Sequence, residues 1–215
     1  MNIIIFGPQG SGKGTQAEKL AEQFNLSHIE TGQIFRDIAR ENSPLGIKIK
    51  DLNEHKEMIP DEITVDVLKH YLEKVSDDKG VILDSAPRTI GQIQPIEALM
   101  RAEKRPIEKA IYITLPYAES VARITKRYMC TLCFRHFVIG KHIAHSGEKC
   151  PTCGGMIAQR GDDTPDGIAK RLKTFYEVTV PVIEEYRKKE ILIEVDGNRG
   201  VEEVFSDIIK QLEKI

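Results

Sequence analysis

The stretch GPQGSGKGT, Gly7 to Thr15, decides how the rest of the chain is read. It follows directly on the apolar run Ile3-Ile4-Ile5-Phe6 and leads into Ala17, Leu20, Ala21 and Phe24, which are spaced as one face of a helix. A buried strand, a glycine-rich turn and a helix are expected in that order. Glycines let the backbone curl until several N–H groups point at one anion, and the helix that follows adds the positive end of its dipole. Gly10, Ser11 and Gly12 would form this cradle, and Lys13 would bring a mobile ammonium to the β- and γ-phosphates. The usual pattern has Ser or Thr right after the lysine. Here Gly14 stands there and Thr15 follows, so phosphate and metal contact falls to Gly14 and Thr15 together. The bland alternative is a strand-to-helix turn that holds no ligand.

Working outward, GVILD (Gly80 to Asp84), KAIYITL (Lys109 to Leu115) and EILIEVDG (Glu190 to Gly197) read as strands, with LSHIE (Leu26 to Glu30) a weaker one. Helical patterns lie between them at Gln33 to Glu41, Glu62 to Val75, Thr89 to Lys104, Tyr117 to Arg127, Asp166 to Lys188 and Val201 to Leu212. Such alternation predicts an α/β fold with a parallel five-stranded sheet flanked by helices. Pro181 predicts a kink or break in the last long pattern but one. From Tyr128 to Asp163 the periodicity vanishes, which marks a separately folded insertion.

The composition narrows the function classes. A formal net charge of -2 argues against a dominant nucleic-acid or membrane surface. No apolar run is long enough to span a bilayer, and the N-terminus lacks the basic region and cleavage site of a signal peptide. A cytoplasmic location is expected.

Cys130-Thr-Leu-Cys133 and Cys150-Pro-Thr-Cys153 lie inside the insertion, separated by sixteen residues. Two CxxC knuckles can offer four thiolates to one tetrahedral ion, which suits a closed, structural Zn²⁺ site. Disulfides, an iron centre and free thiols are the alternatives. His136, His142 and His145 are nearby but unneeded once four thiolates complete the shell. Arg101, Arg105 and Arg187 are expected to be ordinary solvated residues, and the isolated His28, His55 and His70 to have no special role.

GPQGSGKGTQAEKLA resembles the nucleoside monophosphate kinases, adenylate kinases most closely, whose loop likewise reads GKGT. HIETGQIFR (28 to 36), MIPDEI (58 to 63), LDSAPRTIGQ (83 to 92), ARITKR (122 to 127), QRGDD (159 to 163) and KRLKTFYE (170 to 177) resemble further motifs of that family, in the same order along the whole chain. The resemblance implies a P-loop NTPase-like core at 1–127 and 164–215. It also implies a helical monophosphate-binding subdomain at 31–60 and a zinc-bearing lid at 128–163. The activity it implies is phosphoryl transfer from Mg²⁺-bound ATP to AMP, carried out by a monomer.

It further implies roles for residues. Gly10 to Thr15 with Arg123 and Arg127 would bind ATP, Arg123 lying over the adenine. Thr31, Arg36, Ile59, Ser85, Arg88, Gln92, Arg160 and Arg171 would bind AMP. Lys13, Arg88, Arg123, Arg160 and Arg171 would carry the catalytic positive charge, Asp84 would orient Mg²⁺-bound waters, and Asp162 and Asp163 would orient arginines. A guanidinium suits the phosphate by its bidentate fork, and the Gln92 amide can pair with a purine edge. Phosphoryl transfer needs positioning and electrostatics more than a general base. One departure stands out: the family usually has Gly-Phe where this chain has Ser85-Ala86, beside the acceptor base. A monophosphate kinase with another acceptor base is therefore the near alternative, and a zinc-ribbon nucleic-acid-binding P-loop protein the distant one. A GTPase switch is disfavoured, since the sequence has no N-K-x-D-like segment.

Overall fold

The computed structural model describes residues 1–55, 57–133, 135–161 and 163–213. The elements in chain order are β1 (Asn2–Phe6), α1 (Lys13–Phe24), β2 (Leu26–Glu30), α2 (Thr31–Ile38), α3 (Pro44–Glu54), α4 (Asp61–Leu72), β3 (Gly80–Asp84), α5 (Ile90–Ala102), β4 (Lys109–Thr114), α6 (Tyr117–Thr125), β5 (Arg127–Cys130), β6 (His136–Val138), β7 (Ile157–Ala158), α7 (Pro165–Thr174), a π-helical turn (Phe175–Thr179), α8 (Val180–Lys188), β8 (Leu192–Asp196) and α9 (Val201–Leu212). Five strands form one parallel sheet in the order β2-β3-β1-β4-β8. These are the five strands expected from the sequence.

β1 is buried along its whole length because both faces of the sheet are covered. Side chains alternate across a strand. Ile3 and Ile5 therefore pack with Ala17 and Leu20 of α1 and Val204 and Ile208 of α9. Ile4 and Phe6 face the opposite layer, with Leu68 of α4, Ile96 of α5 and Val182 and Tyr186 of α8. Each fully buried isoleucine contributes on the order of 1.5–3 kcal/mol of hydrophobic transfer energy. The sheet is thereby a rigid floor, and its strand ends are fixed points.

The break expected at Pro181 is present: the pattern from Asp166 to Lys188 forms two helices joined by the π-helical turn. Pro181 has no N–H to give and its ring crowds the carbonyl four residues back, so the turn widens there. The helix expected to run on to Arg127 stops at Thr125, and Arg127 opens β5. Arg105 is not solvated: it is 6% exposed, and its guanidinium donates to the carbonyls of Val75 (3.0 Å), Ser76 (2.9 Å) and Glu103 (3.1 Å), closing the loop before β3. Helix α3 has no counterpart among the expected helical patterns, although its start carries clear signals: Ser43 caps it by accepting from the Gly46 N–H at 3.0 Å, and Pro44 sits in its first turn.

The insertion is a small antiparallel sheet, β6-β5-β7, over its own cluster of Cys130, Phe137, Ile143, Cys150 and Ile157.

Candidate active site

The parallel sheet sends the carboxyl ends of its strands to one edge, where ligands of open α/β sheets bind. In the order β2-β3-β1-β4, those ends lead into Thr31 and Arg36, then Asp84 to Arg88, then the glycine loop, then α6 with Arg123. The loop after β8, Gly197-Asn198, completes the row.

The glycine loop takes the shape its composition dictates. Gly10 and Gly12 adopt φ of 84° and 88°, which disfavour any side chain. A Cβ on Gly7 would lie 2.4 Å from the Ser11 hydroxyl oxygen, so the strand exit is also closed to larger residues. Gly12 caps α1 and Lys13 is its first residue, so the helix dipole and the ammonium point into the same space. Ser11 is buried, Gly14 half-buried and Thr15 exposed.

Lys13 Nζ lies 3.6 Å from Asp84 Oδ1, and His28 Nε2 lies 3.4 Å from Asp84 Oδ2 without hydrogen-bond alignment. The Ser85 hydroxyl donates to Asp84 Oδ1 at 2.8 Å. Asp84 is 1% exposed. Burial alone would raise its pKa, but Lys13, His28 and Ser85 together outweigh it and hold the carboxyl well below the usual range. A permanent carboxylate at this spot can order the water shell of a divalent ion. The role of His28 was not legible, because its partner is brought in by strand pairing.

On the β2 side, Arg36 Nη2 donates to Glu30 Oε1 at 2.9 Å and to Gln33 Oε1 at 2.8 Å. Arg36 and Arg88 both approach Gly32: a Cβ there would meet Arg36 Nη1 at 3.3 Å and Arg88 Nη2 at 3.6 Å. Arg88 also donates through Nε to the Ser85 carbonyl at 2.9 Å. The side chain of Arg88 is exposed, with the Arg36 and Arg160 charges set against those of Asp84 and Glu30. The guanidinium stays charged. Glu30 is a site residue that the sequence did not single out.

Thr31 opens α2 and donates to the carbonyls of Asp84 and Ser85, each at 3.1 Å, which ties α2 to the end of β3. Ser85 has φ of 69°, in the left-handed region that favours glycine. Gln92 is buried, its Oε1 accepting from the Arg88 N–H at 2.7 Å and its Nε2 donating to Asp61 Oδ1 at 2.8 Å. Ile59 is half-buried against the core layer that holds Ile34 and Phe35.

Arg123 reaches back over the loop. Its Nη1 donates to the Gly197 carbonyl at 3.0 Å and the Gly10 carbonyl at 3.4 Å, and its Nη2 to Asn198 Oδ1 at 3.2 Å. At the base of the insertion, Asp163 accepts from Arg127 Nη2 at 2.8 Å and from Arg171 Nη2 at 2.5 Å through the same oxygen. The Asp163 side chain has no exposed surface, so one buried carboxylate holds both arginines. The Arg160 charge acts on both Arg88 and Arg127. The arginine-orienting role expected of Asp163 has this geometric basis; Asp162 lies outside the described residues.

The four cysteine sulfurs lie within 4.8 Å of one another, with Cys130 to Cys153 at 3.4 Å and Cys133 to Cys150 at 3.6 Å. A disulfide needs about 2.05 Å, so the sulfurs are not paired that way. Thiolates around a tetrahedral ion at about 2.3 Å stand roughly 3.8 Å apart, which the cluster fits. The Leu132 N–H donates to Cys130 Sγ at 3.4 Å, the turn expected of a metal knuckle.

The family model for adenylate kinase matches residues 5–191. Curated relatives named adenylate kinase align along almost the whole chain. That of Archaeoglobus fulgidus is 35% identical over 215 residues, covering 100% of this chain and 99% of the relative. That of Thermoanaerobacter pseudethanolicus is 37% identical over 212 residues, covering 99% and 98%. That of Methanosarcina acetivorans is 36% identical over 208 residues, covering 97% and 96%. With the glycine loop and the arginine pair at the ends of one parallel sheet and the cysteine cluster in the insertion, the chain belongs to the adenylate kinase family.

Proposed function

We infer that the protein transfers the γ-phosphoryl group of Mg²⁺-bound ATP to AMP, reversibly, giving two ADP. One observation carries this: the strand ends lay the groups out in a row across the sheet, Arg36, then Asp84 and Arg88, then the Lys13 loop, then Arg123. Neighbouring parallel strands stand about 4.8 Å apart, so two phosphate sites fall side by side with the transfer point between them. In-line transfer requires that arrangement.

The chemistry is then positioning and charge. The loop backbone and Lys13 hold the ATP phosphates, with Gly14 and Thr15 at the metal-bearing side. Asp84, buried and ionised, would hold the hydrated Mg²⁺ that comes with ATP, and that ion would supply positive charge against the developing negative charge. Arg36 and Arg88 hold the acceptor phosphate, and Thr31, Ile59, Ser85 and Gln92 surround its base. Arg127, Arg160 and Arg171 add positive charge at the moving phosphoryl group, and Asp163 keeps two of them aimed. We assign residues 31–60 and 128–163 as segments that close over the acceptor and the donor. Closure expels water and directs the phosphoryl group to AMP rather than hydrolysis.

The cysteine set suits Zn²⁺ as a structural ion that makes the lid a rigid body. Four cysteines kept as ligands are in keeping with a reducing compartment such as the cytoplasm. Every group in this scheme comes from one chain, so a monomer suffices. Among the described residues, no helix is long and apolar enough to cross a membrane. The test is ADP formation from Mg-ATP with AMP, GMP, CMP or UMP as acceptor. A clear preference for AMP is expected, and preference for another base would make Ser85-Ala86 the determinants of that base.

A further inference from the structure

The amide of Gln92 is held at both ends by groups that can play only one role. Its oxygen accepts from the Arg88 backbone N–H at 2.7 Å, and a backbone N–H only donates. Its nitrogen donates to Asp61 Oδ1 at 2.8 Å, and a carboxylate only accepts. Turning the amide over would set N–H against N–H and oxygen against oxygen. Gln92 is 2% exposed, so solvent cannot relieve those clashes.

Asp61 is itself built in. Its second oxygen accepts from the Thr89 hydroxyl at 2.9 Å, and Thr89 in turn caps α5 by accepting from the Gln92 N–H at 3.2 Å. A Cβ on Gly91 would lie 2.7 Å from Asp61 Oδ2, so the glycine leaves room for the carboxylate. Asp61 also opens α4, directly after the acceptor segment 31–60.

We propose that Asp61 is a specificity-determining positioning residue, which fixes the Gln92 amide so that the site takes an amino-substituted base and rejects a keto one. An amide has two N–H groups and two lone pairs. With one of each used, one N–H and one lone pair are left for a base that reaches Gln92. Adenine presents the complement, a ring nitrogen that accepts beside an amino group that donates. Hypoxanthine and guanine present the reverse, a ring N–H beside a carbonyl oxygen. A freely turning amide would serve either; a locked one serves only the first. The proposal rests on Gln92 meeting the acceptor base.

The experiment compares kcat/KM for AMP and IMP in the wild type, Asp61→Ala, Asp61→Asn and Gln92→Ala. Asp61→Ala should lower the AMP-over-IMP ratio about tenfold. Asp61→Asn should keep it within about threefold, because its amide oxygen can take the same bond. If Gln92→Ala collapses the ratio and Asp61→Ala leaves it unchanged, the lock is wrong although the base contact stands. If Gln92→Ala leaves the ratio unchanged, the base contact itself is wrong and the lock falls with it. Should Asp61→Ala not fold, nitrogen-resolved NMR of the wild type decides. Gln92 side-chain N–H groups that exchange with solvent far more slowly than those of exposed glutamines are expected, and exchange at the exposed rate overturns the proposal.

Discussion

Lys13, at the start of α1, and Asp84, at the end of β3, face each other, ammonium to carboxylate at 3.6 Å. The pair joins the glycine loop to the carboxylate to which we assign the waters of Mg²⁺. Asp84 is 1% exposed and the Lys13 side chain 26%, so the acid depends on the base more than the reverse. Lys13→Met should lower kcat by about a thousandfold or more, since it removes charge at the transferring group. It should also lower stability by about 1–2 kcal/mol, because Asp84 loses one buried partner while His28 and Ser85 remain. Steady-state kinetics and urea unfolding check both parts.

Acid should act through Asp84. Its folded-state pKa lies below the ordinary carboxylate value of about 3.9, so its contribution to stability is complete above that value and is lost as pH falls through the folded one. Unfolding midpoints of the wild type and Asp84→Asn, followed from about pH 6 to pH 2, should differ by a constant amount above about pH 4.5 and then converge. A gap that opens as pH falls contradicts the assignment.

Glu30 takes the position of an anion beside Arg36, at 2.9 Å. A bound monophosphate must share or replace that contact. Glu30→Gln removes the negative charge and keeps the shape, so KM for AMP should fall, by about three- to tenfold. The effect should shrink at high salt, as charge-dominated effects do. Initial rates over AMP at two ionic strengths measure this.

Ser85 stands at φ 69° and donates to Asp84 at 2.8 Å, so its backbone is strained while its hydroxyl is useful. Ser85→Ala keeps the strain and loses the bond. Ser85→Gly loses both. Glycine should therefore be the more stable of the two variants by about 1 kcal/mol. Thermal melting of both variants under identical conditions gives the difference directly.

The cysteine cluster as a zinc site predicts that metal removal lowers stability, because the apolar cluster around Cys130 and Cys150 is too small to hold the insertion alone. Chelation should release about one zinc per chain and lower Tm by about 5 °C or more. Metal-free protein that melts no earlier than the metal-bound form contradicts a structural role.

The core was legible because it is governed by local rules. Ile3 to Phe6, the glycine loop and the CxxC pairs each carry their meaning in adjacent residues. What the sequence hid depends on contacts between distant segments. His28 reaches Asp84 only because β2 lies beside β3, and Asp61 meets Gln92 only because α4 and α5 start together. Arg105 looked solvated because nothing near it in sequence suggests that the Val75 and Ser76 carbonyls turn towards it. The left-handed backbone at Ser85 could not be read from a serine, since only glycine announces that conformation.

The most direct test is the stoichiometry of the reaction: ATP and AMP consumed and ADP formed, with Mg²⁺, in the presence and absence of AMP. The expected result is two ADP for each AMP consumed, and almost no ATP turnover without AMP. ATP hydrolysis that is indifferent to AMP, or no ADP with both nucleotides present, would contradict a site that holds two nucleotides in line.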